Sequence, residues 1–256
     1  MEAVESVQKS KMPVVLVACE ESQAVTIELR KLGIEAYSCD IQECSGGHPE
    51  WHICHDVMVA LHARMFKTMD GKYHTINKWD AIIAFPPCTD LAVSGAAWFE
   101  KKRQSGEQLK SIEFFMSILN FPCDYIAVEN PVNIISGKYI TAWFPELAEL
   151  YGLPISPSQT IQPYYFGDNA TKKTCLWLKG FPLLRHDPAN YVEGSAYMTS
   201  PSGKSYPEWC WKTGKGCGKE RSKTYLGIAK TLAEQWGEFL IKIKSDEEVS
   251  SFRIPV

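Results

Sequence analysis

Two short runs hold the residues best suited to chemistry in this 256-residue chain, Pro86-Pro87-Cys88 and Glu129-Asn130-Pro131. Each ends an apolar run of strand length, Asp80-Ala-Ile-Ile-Ala-Phe85 before the first and Asp124-Tyr-Ile-Ala-Val128 before the second. Proline cannot donate to a strand ladder, so an apolar run that stops at proline reads as a buried strand delivering its next residue to a loop. In open α/β sheets the C-terminal edge of the strands is where ligands bind. A cysteine held there by a stiff turn is placed to attack a bound substrate, provided that its surroundings lower the thiol pKa from about 8.5. Two such strands side by side put Cys88 and Glu129 on one edge of one sheet. Taken alone, Glu129 reads better as half of a strand-end salt bridge.

The preceding segments supply the elements such an edge needs. Val14-Val-Leu-Val-Ala18 is wholly apolar, the mark of a strand covered on both faces, and Glu20-Glu21-Ser22-Gln23 follows as a turn. From Ala24 to Leu32 the residues Val25, Leu29 and Leu32 recur at helical spacing, and Gly33 ends the helix. Ile34 to Asp40 then reads as a second strand ending in a carboxylate. An acid at that position accepts hydrogen bonds from ribose hydroxyls in dinucleotide folds. No G-x-G-x-x-G follows the first strand, so a nucleoside cofactor without a pyrophosphate suits the pattern better than NAD. Asp56 is a third strand-end carboxylate. It closes the stretch Cys44 to Asp56, whose density of Cys and His also admits a zinc module, although the spacing matches no paired C-x2-C and H-x3-5-H pattern.

Further on, Met58 to Phe66 reads as a helix, and Gln104 to Leu119 as an amphipathic one with Leu109, Ile112, Phe115, Met116 and Leu119 on its apolar side. Ser158 to Gly167 and Lys173 to Leu178 read as strands, Pro182 to Arg221 as loop-rich, and Thr224 to Lys242 as a last helix. The pattern gives an α/β fold with a doubly wound, mostly parallel sheet and a small loop-rich insertion.

Composition bounds the function classes. At 45% hydrophobic and 22% charged residues the chain is that of an ordinary globular protein. No apolar stretch approaches the ~20 residues of a membrane span, and the start lacks a signal-peptide pattern, so a cytoplasmic setting is expected. Nine cysteines without framework spacing suit a reducing compartment. The net charge of -3 gives no global nucleic-acid signal, but between Gly203 and Tyr225 six basic residues face two acidic ones. That stretch holds Lys204, Lys212, Lys215, Lys219, Arg221 and Lys223 interleaved with Tyr206, Trp209 and Trp211. Such a mixture suits a nucleic-acid backbone and its bases, or a solvated surface loop.

The ordered pair Pro86-Pro87-Cys88 and Glu129-Asn130-Pro131 resembles the DNA cytosine-5 methyltransferases. The chain is most similar to their short phage and prophage branch, through Cys44-Ser-Gly-Gly-His-Pro-Glu-Trp-His-Ile53, Gln162-Pro-Tyr-Tyr-Phe-Gly167, Lys172-Lys-Thr-Cys-Leu-Trp-Leu178 and Arg221-Ser-Lys-Thr-Tyr-Leu-Gly-Ile-Ala229. The resemblance covers Val14 to Gly237. It implies the class I methyltransferase fold, S-adenosylmethionine as methyl donor and a flipped cytosine, in duplex DNA, as acceptor. Cys88 would be the nucleophile at carbon 6 and Glu129 the acid at ring nitrogen 3. The donor would be held by Ala18, Cys19, Glu20, Ser22 and Gln23 around its amino acid moiety, Asp40 at the ribose, Ile41 on adenine, Asp56 at the exocyclic amine, Phe85 and Pro86 along the methyl path, and Gly227. The DNA would meet Pro87, Ser94, Asn130, Gln162, Lys172, Lys173, Lys212, Lys215 and Arg221. The turn Cys19-Glu20-Glu21-Ser22-Gln23 stands where the family has a glycine-rich one, so its contacts follow from position alone.

The resemblance also divides the chain: an N-terminal tail over 1–12, a catalytic domain over 13–178, a recognition insertion over 179–221, a returning helix over 222–244 and a tail over 245–256. A bacterial or phage-infected cell would be the setting, with no membrane, resident metal or obligate protein partner. Two other readings stay open on the residues: the same chemistry on RNA or a free cytosine nucleotide, and a catalytically silent protein that binds the donor or DNA.

Overall fold

In the computed structural model, residues 12–195, 197–207 and 224–251 are described, with side chains to residue 247. The centre of the molecule is β1 (Val14–Ala18), whose five residues are all buried because both faces of the sheet are covered. Its side chains alternate as strand geometry requires. Leu16 and Ala18 enter one apolar layer, Val15 and Val17 the other.

β1 pairs in parallel with β2 (Glu35–Asp40) on one side and with β6 (Ala81–Ala84) on the other. Beyond β2 lies β3 (His52–Cys54), and beyond β6 lies β7 (Tyr125–Pro131), both parallel to their neighbours. The far edge is closed by β9 (Thr174–Lys179), antiparallel to β7, and by β8 (Gln159–Ile161), antiparallel to β9. The seven-stranded order is β3-β2-β1-β6-β7-β9-β8. Winding runs outward from β1 in both directions, so the crevice between β1 and β6 is the switch point at which such sheets bind ligands.

Helices cover both faces. α1 (Ala24–Lys31) packs with α7 (Leu226–Leu232), the π-helical turn Ala233–Gly237 and α8 (Glu238–Ser251) over Val15, Val17, Ala36, Ile83 and Ala127. Opposite them, α2 (Val57–His62) and α4 (Glu107–Leu119) lie over Leu16, Tyr37, Ile82 and Ile126. Short helices α3 (Phe99–Gln104), α5 (Tyr139–Trp143) and α6 (Pro145–Tyr151) complete that layer. The expected doubly wound, mostly parallel α/β sheet is therefore the fold.

The helix read over 104–119 begins at Glu107 and leaves Leu109 exposed, the strand read over 124–128 continues to Pro131, and three further elements differ from the sequence reading. The helix read over 58–66 stops at His62, and Met65–Lys67 (β4) forms a separate antiparallel hairpin with Tyr73–Thr75 (β5). Phe66 is drawn out of the helical pattern by rings distant in sequence, Tyr37 at 4.8 Å and Trp79 at 5.4 Å between centroids. The strand read over 158–167 is only Gln159–Ile161, and a 3-10 turn over Pro163–Phe166 follows, with Gly167 at φ 87° ending it. The final helix runs to Ser251 across the region read as a loose tail. Lys244 anchors it by a 2.7 Å ion pair with Asp80, which also accepts a hydrogen bond from the Val14 amide.

After β9 the chain stays on the body for a few residues, since Phe181 stacks on Trp236 at 4.6 Å and Leu184 is buried. A small hairpin follows, β10 (Tyr197–Thr199) with β11 (Ser205–Pro207). Lys212, Lys215, Arg221 and the tryptophans Trp209 and Trp211, on which much of the basic-aromatic reading rests, lie outside the described residues, as does the N-terminal tail up to residue 11.

Candidate active site at the carboxyl edge of the sheet

The register of β6 on β7 sets Ala84 beside Val128, so Phe85 and Pro86 leave the sheet level with Glu129 and Asn130. Asn130 is fully buried and joins the two strand ends: its Nδ2 donates to the Pro86 carbonyl at 2.8 Å, while its Oδ1 accepts from Asn133 Nδ2 at 3.0 Å. Cys88 is two residues past that held carbonyl, half-buried, and its own carbonyl accepts from the amides of Leu91 and Ala92. Pro87 is exposed beside it.

The turn is fastened from behind as well. The Asp90 carboxylate pairs with Lys102 at 3.0 Å and accepts from Ser111 at 3.1 Å, and the Asp90 carbonyl accepts from buried Gln108. Lys102 also donates to the Thr89 carbonyl. The amides of Val93 and Ile134 then cross-link this loop to the one after β7. Asp90 and Asn133 are thus positioning residues that sequence reasoning missed. Only the acid two places after the cysteine hinted at the first.

Glu129 is only partly buried as a residue, but protein surrounds its carboxyl, and burial pushes its pKa up. The Lys172 ammonium and the Thr174 hydroxyl oppose that rise without cancelling it. Lys172 is brought there because β9 runs antiparallel to β7, with Thr174 opposite Pro131 and Cys175 opposite Asn130. Its ammonium also sits 5.9 Å from the centre of the Tyr225 ring. Gln162 follows the end of β8, where Ile161 pairs with Thr174, and its Oε1 is buried with no hydrogen-bond partner among the described residues. Lys173 on the same loop is exposed, as is Ser94 on the 3-10 turn after the Cys88 loop. The edge therefore gathers Cys88, Glu129, Asn130, Lys172 and Gln162.

At the β1, β2 and β3 ends, the residues expected around a donor divide into two kinds. Some are open. Cys19 turns the chain with φ 59°, and its thiol pKa is pushed up by burial first, then by Asp40, Cys39 and Asp56, so both strand-end acids converge on it. Asp40 accepts from the Gln42 amide at 2.9 Å, Asp56 caps α2 by accepting from Met58 at 2.7 Å, and Ile41 between these strands is 78% exposed. The Ala18 carbonyl accepts from Phe85, joining this crevice to the Cys88 side.

Others are committed within the fold. Glu20 is buried, and its carboxylate accepts from the amides of Val25 and Thr26 and from the Thr26 hydroxyl, closing the N-terminus of α1; burial raises its pKa to about 7. Gln23, buried at φ 60°, donates to Ser38 and to the His48 carbonyl and accepts from the His48 amide. It is a strut for the 44–55 loop. Ser22 is half-buried on the turn between them. Gly227 opens α7 with its amide on Asp168 Oδ2 at 2.9 Å, and an added Cβ would lie 2.0 Å from the Phe166 carbonyl, so only glycine fits.

The Cys and His residues of the 44–55 stretch do not assemble. His52 is buried with Nδ1 on Ser38 at 2.8 Å and Nε2 on the Gln42 carbonyl at 2.9 Å, and burial lowers its pKa. Among the described residues no group of three Cys, His, Asp or Glu side chains has the geometry to hold a metal ion.

No protein-family model matches the chain, and no curated protein matches it. Among solved structures, it is similar to a prophage-encoded protein of E. coli described as a DNA modification methyltransferase, with 10% identity and a TM-score of 0.39 over 64% of this chain. The match takes in 46% of that protein, so the chain spans just under half its length.

Proposed function

We propose that the protein transfers a methyl group from S-adenosylmethionine to carbon 5 of cytosine in DNA. The observation that carries this reading is the bond from Asn130, beside Glu129, to the carbonyl of Pro86, two residues before Cys88. A thiol and an acid on adjoining strand ends are thereby held as one unit. The chemistry needs both, because carbon 5 of cytosine is a poor nucleophile until carbon 6 has been attacked.

The donor fits the chain's own residues at the other strand ends. Ile41 holds 78% of its surface open beside Asp40, offering an apolar face for a purine next to an acceptor for ribose hydroxyls, and Asp56 lies close enough to bear on the same thiol as Asp40. S-adenosylmethionine bound there would supply an electrophilic methyl group. Glu20 and Gln23 shape that crevice through the backbone they hold, not by side-chain contact.

The Cys88 thiolate adds to carbon 6 of an extruded cytosine, forming an S–C bond and moving the ring π electrons toward nitrogen 3. Glu129, whose carboxyl retains its proton to higher pH than usual, donates that proton to nitrogen 3 as charge gathers there. Carbon 5 thereby becomes nucleophilic. Once carbon 5 has gained the methyl group and given up its proton to water, the S–C bond breaks, Cys88 leaves as thiolate, and nitrogen 3 returns its proton to Glu129. Asn130 keeps thiol and acid in register throughout, while Lys172, Lys173 and Gln162 form the wall against which the base and its strand rest.

The test is transfer of tritiated methyl from S-adenosylmethionine to unmethylated duplex DNA, with nucleosides identified by mass. 5-Methylcytosine from the parent and none from Cys88→Ser, which still binds the donor, is expected. Transfer undiminished in Cys88→Ser would sink the mechanism, and transfer to RNA or nucleotide alone would move the substrate.

A further inference from the structure

Behind the nucleophile loop, between α3 and α5, lies a hollow of about 460 Å³ that the chemistry above does not use. Its floor is small and apolar, Ala96, Ala97 and Ile134, and one wall is the guanidinium of Arg103 lying 3.7 Å from the ring centre of Trp143. Tyr139 fixes that guanidinium from the side by accepting a hydrogen bond from it, and its own hydroxyl donates at 3.1 Å to Oε1 of Gln108, the residue that holds the Asp90 carbonyl. Arg103 is therefore a planar cation set in place before any ligand arrives.

Large aromatic surface remains open around it. Trp143 is 54% exposed, and Trp98, between two lining residues, is 62% exposed. Lys101 and Lys138 stand exposed nearby, against the single acid Glu100 on the lining. A fixed guanidinium on one face of Trp143, the exposed remainder of the Trp143 and Trp98 indoles, and two exposed lysines next in sequence to lining residues together match a nucleic-acid strand, whose bases stack on aromatic rings while its phosphates meet cations. The hollow is also continuous with the catalytic edge: Asn133 lines it and donates to Asn130 on its other side.

We infer that this hollow is a strand-binding subsite, in which Trp98 and Trp143 stack a base next to the reacting cytosine and Arg103 holds a neighbouring phosphate. The inference rests on the reading of the Cys88 edge as DNA-modifying. Extruding a cytosine leaves its neighbours partly unstacked, and an aromatic platform beside the nucleophile replaces the stacking they lose.

Binding of fluorescein-labelled single-stranded and duplex oligonucleotides is measured by anisotropy on the full chain carrying Cys88→Ser, so no turnover intervenes. Trp143→Ala, Trp98→Ala and Arg103→Lys are each expected to weaken single-strand binding roughly ten-fold. Trp98 is 62% exposed, so Trp98→Ala is expected to keep the melting temperature and donor affinity close to the parent's, and measuring both separates its effect from misfolding. Parent-like binding by both Trp98→Ala and Arg103→Lys overturns the subsite, as does a parent that binds neither oligonucleotide. If the parent methylates cytosine yet these variants bind normally, the subsite falls and the proposed function stands. If the parent methylates nothing but oligonucleotide binding needs Trp98 and Arg103, the function reading falls and the strand contact stands.

Discussion

The two halves of the sheet's carboxyl edge are built on different principles. On the β6, β7 and β9 side, buried side chains reach across to backbone carbonyls and hold loop against loop, as Asn130 does to Pro86 and Gln108 to Asp90. On the β1, β2 and β3 side, the buried polar side chains hold the structure beneath the strand ends, Glu20 the start of α1 and Gln23 the His48 backbone of the 44–55 loop, and leave the partly or fully exposed Asp40, Asp56 and Ile41 uncovered. Under the proposed function, the first half would be preorganised to place reacting atoms, for which an ångström of misplacement costs rate steeply. The second would offer an open surface to a donor that must come and go. Changes on the first side are therefore expected to act on turnover, and changes on the second on stability or donor affinity.

The sharpest way to break that contrast is Glu129→Gln. It removes the proton that burial makes available, and turnover is expected to fall about 10³-fold while donor affinity stays the same. The sign with pH follows from the raised pKa. Parent activity is highest with Glu129 protonated and declines as pH rises through its folded pKa, whereas the residual activity of the variant lacks that decline. A pH profile of kcat for both proteins checks this, and identical profiles would assign the limb to another group.

Asn130→Ala comes next. It deprives the Pro86 carbonyl and the Asn133 amide of partners in a fully buried place, at a cost of about 3 kcal/mol. The Cys88 turn loses its fixed relation to Glu129, and single-turnover rate is expected to drop roughly 10²-fold with unchanged donor binding. A fall in stability without a fall in rate would show that the turn is placed by Asp90 and its partners alone.

On the opposite half, Glu20→Gln tests whether the buried carboxyl is a structural cap. Its pKa is 4.5 when exposed and about 7 in the fold. Between those values the native chain retains a proton that the unfolded chain has lost, so stability declines as pH rises across that window, by about 3 kcal/mol in all. Below it neither state is penalised, and above it the penalty is complete. Glutamine carries no such proton, and melting curves at pH 5 and pH 7.5 should show a flatter response than the parent. Equal slopes would mean that Glu20 is already ionised in the fold at pH 5.

How much of this was legible in the sequence follows the same division. The strand, helix, strand unit from Val14 to Asp40 depends on local apolar runs and is found where the pattern put it. The two later strands are found as well, but the one before Cys88 ends at Ala84 and the other runs through Glu129 to Pro131, carried on by its pairing with β9. The elements misjudged answer to partners far away in the chain: Phe66 to Tyr37 and Trp79, and the last helix to Asp80 through Lys244, 164 residues apart. The turn after β1 was read by its position, and position does not say which way a side chain points. Glu20 and Gln23 point inward because α1 begins with bare amides and the 44–55 loop needs an anchor, neither of which has a sequence signature.

Ile41 gives the smallest effect and the finest discrimination between the two halves. At 78% exposure it contributes little to folding, so Ile41→Ala should shift stability by less than about 0.5 kcal/mol. If its side chain is the apolar face for the purine, truncation removes about 1 kcal/mol of ligand burial, or roughly a five-fold loss in donor affinity. Calorimetry with S-adenosylmethionine and with adenosine alone separates the contributions. An equal loss for both ligands puts Ile41 against the purine, and an unchanged adenosine affinity puts it elsewhere. Turnover at saturating donor is the control that ties the result to the contrast between the halves. Under the proposed function it should not move, because Ile41 then lies in the half that receives the donor and not in the one that positions the thiol.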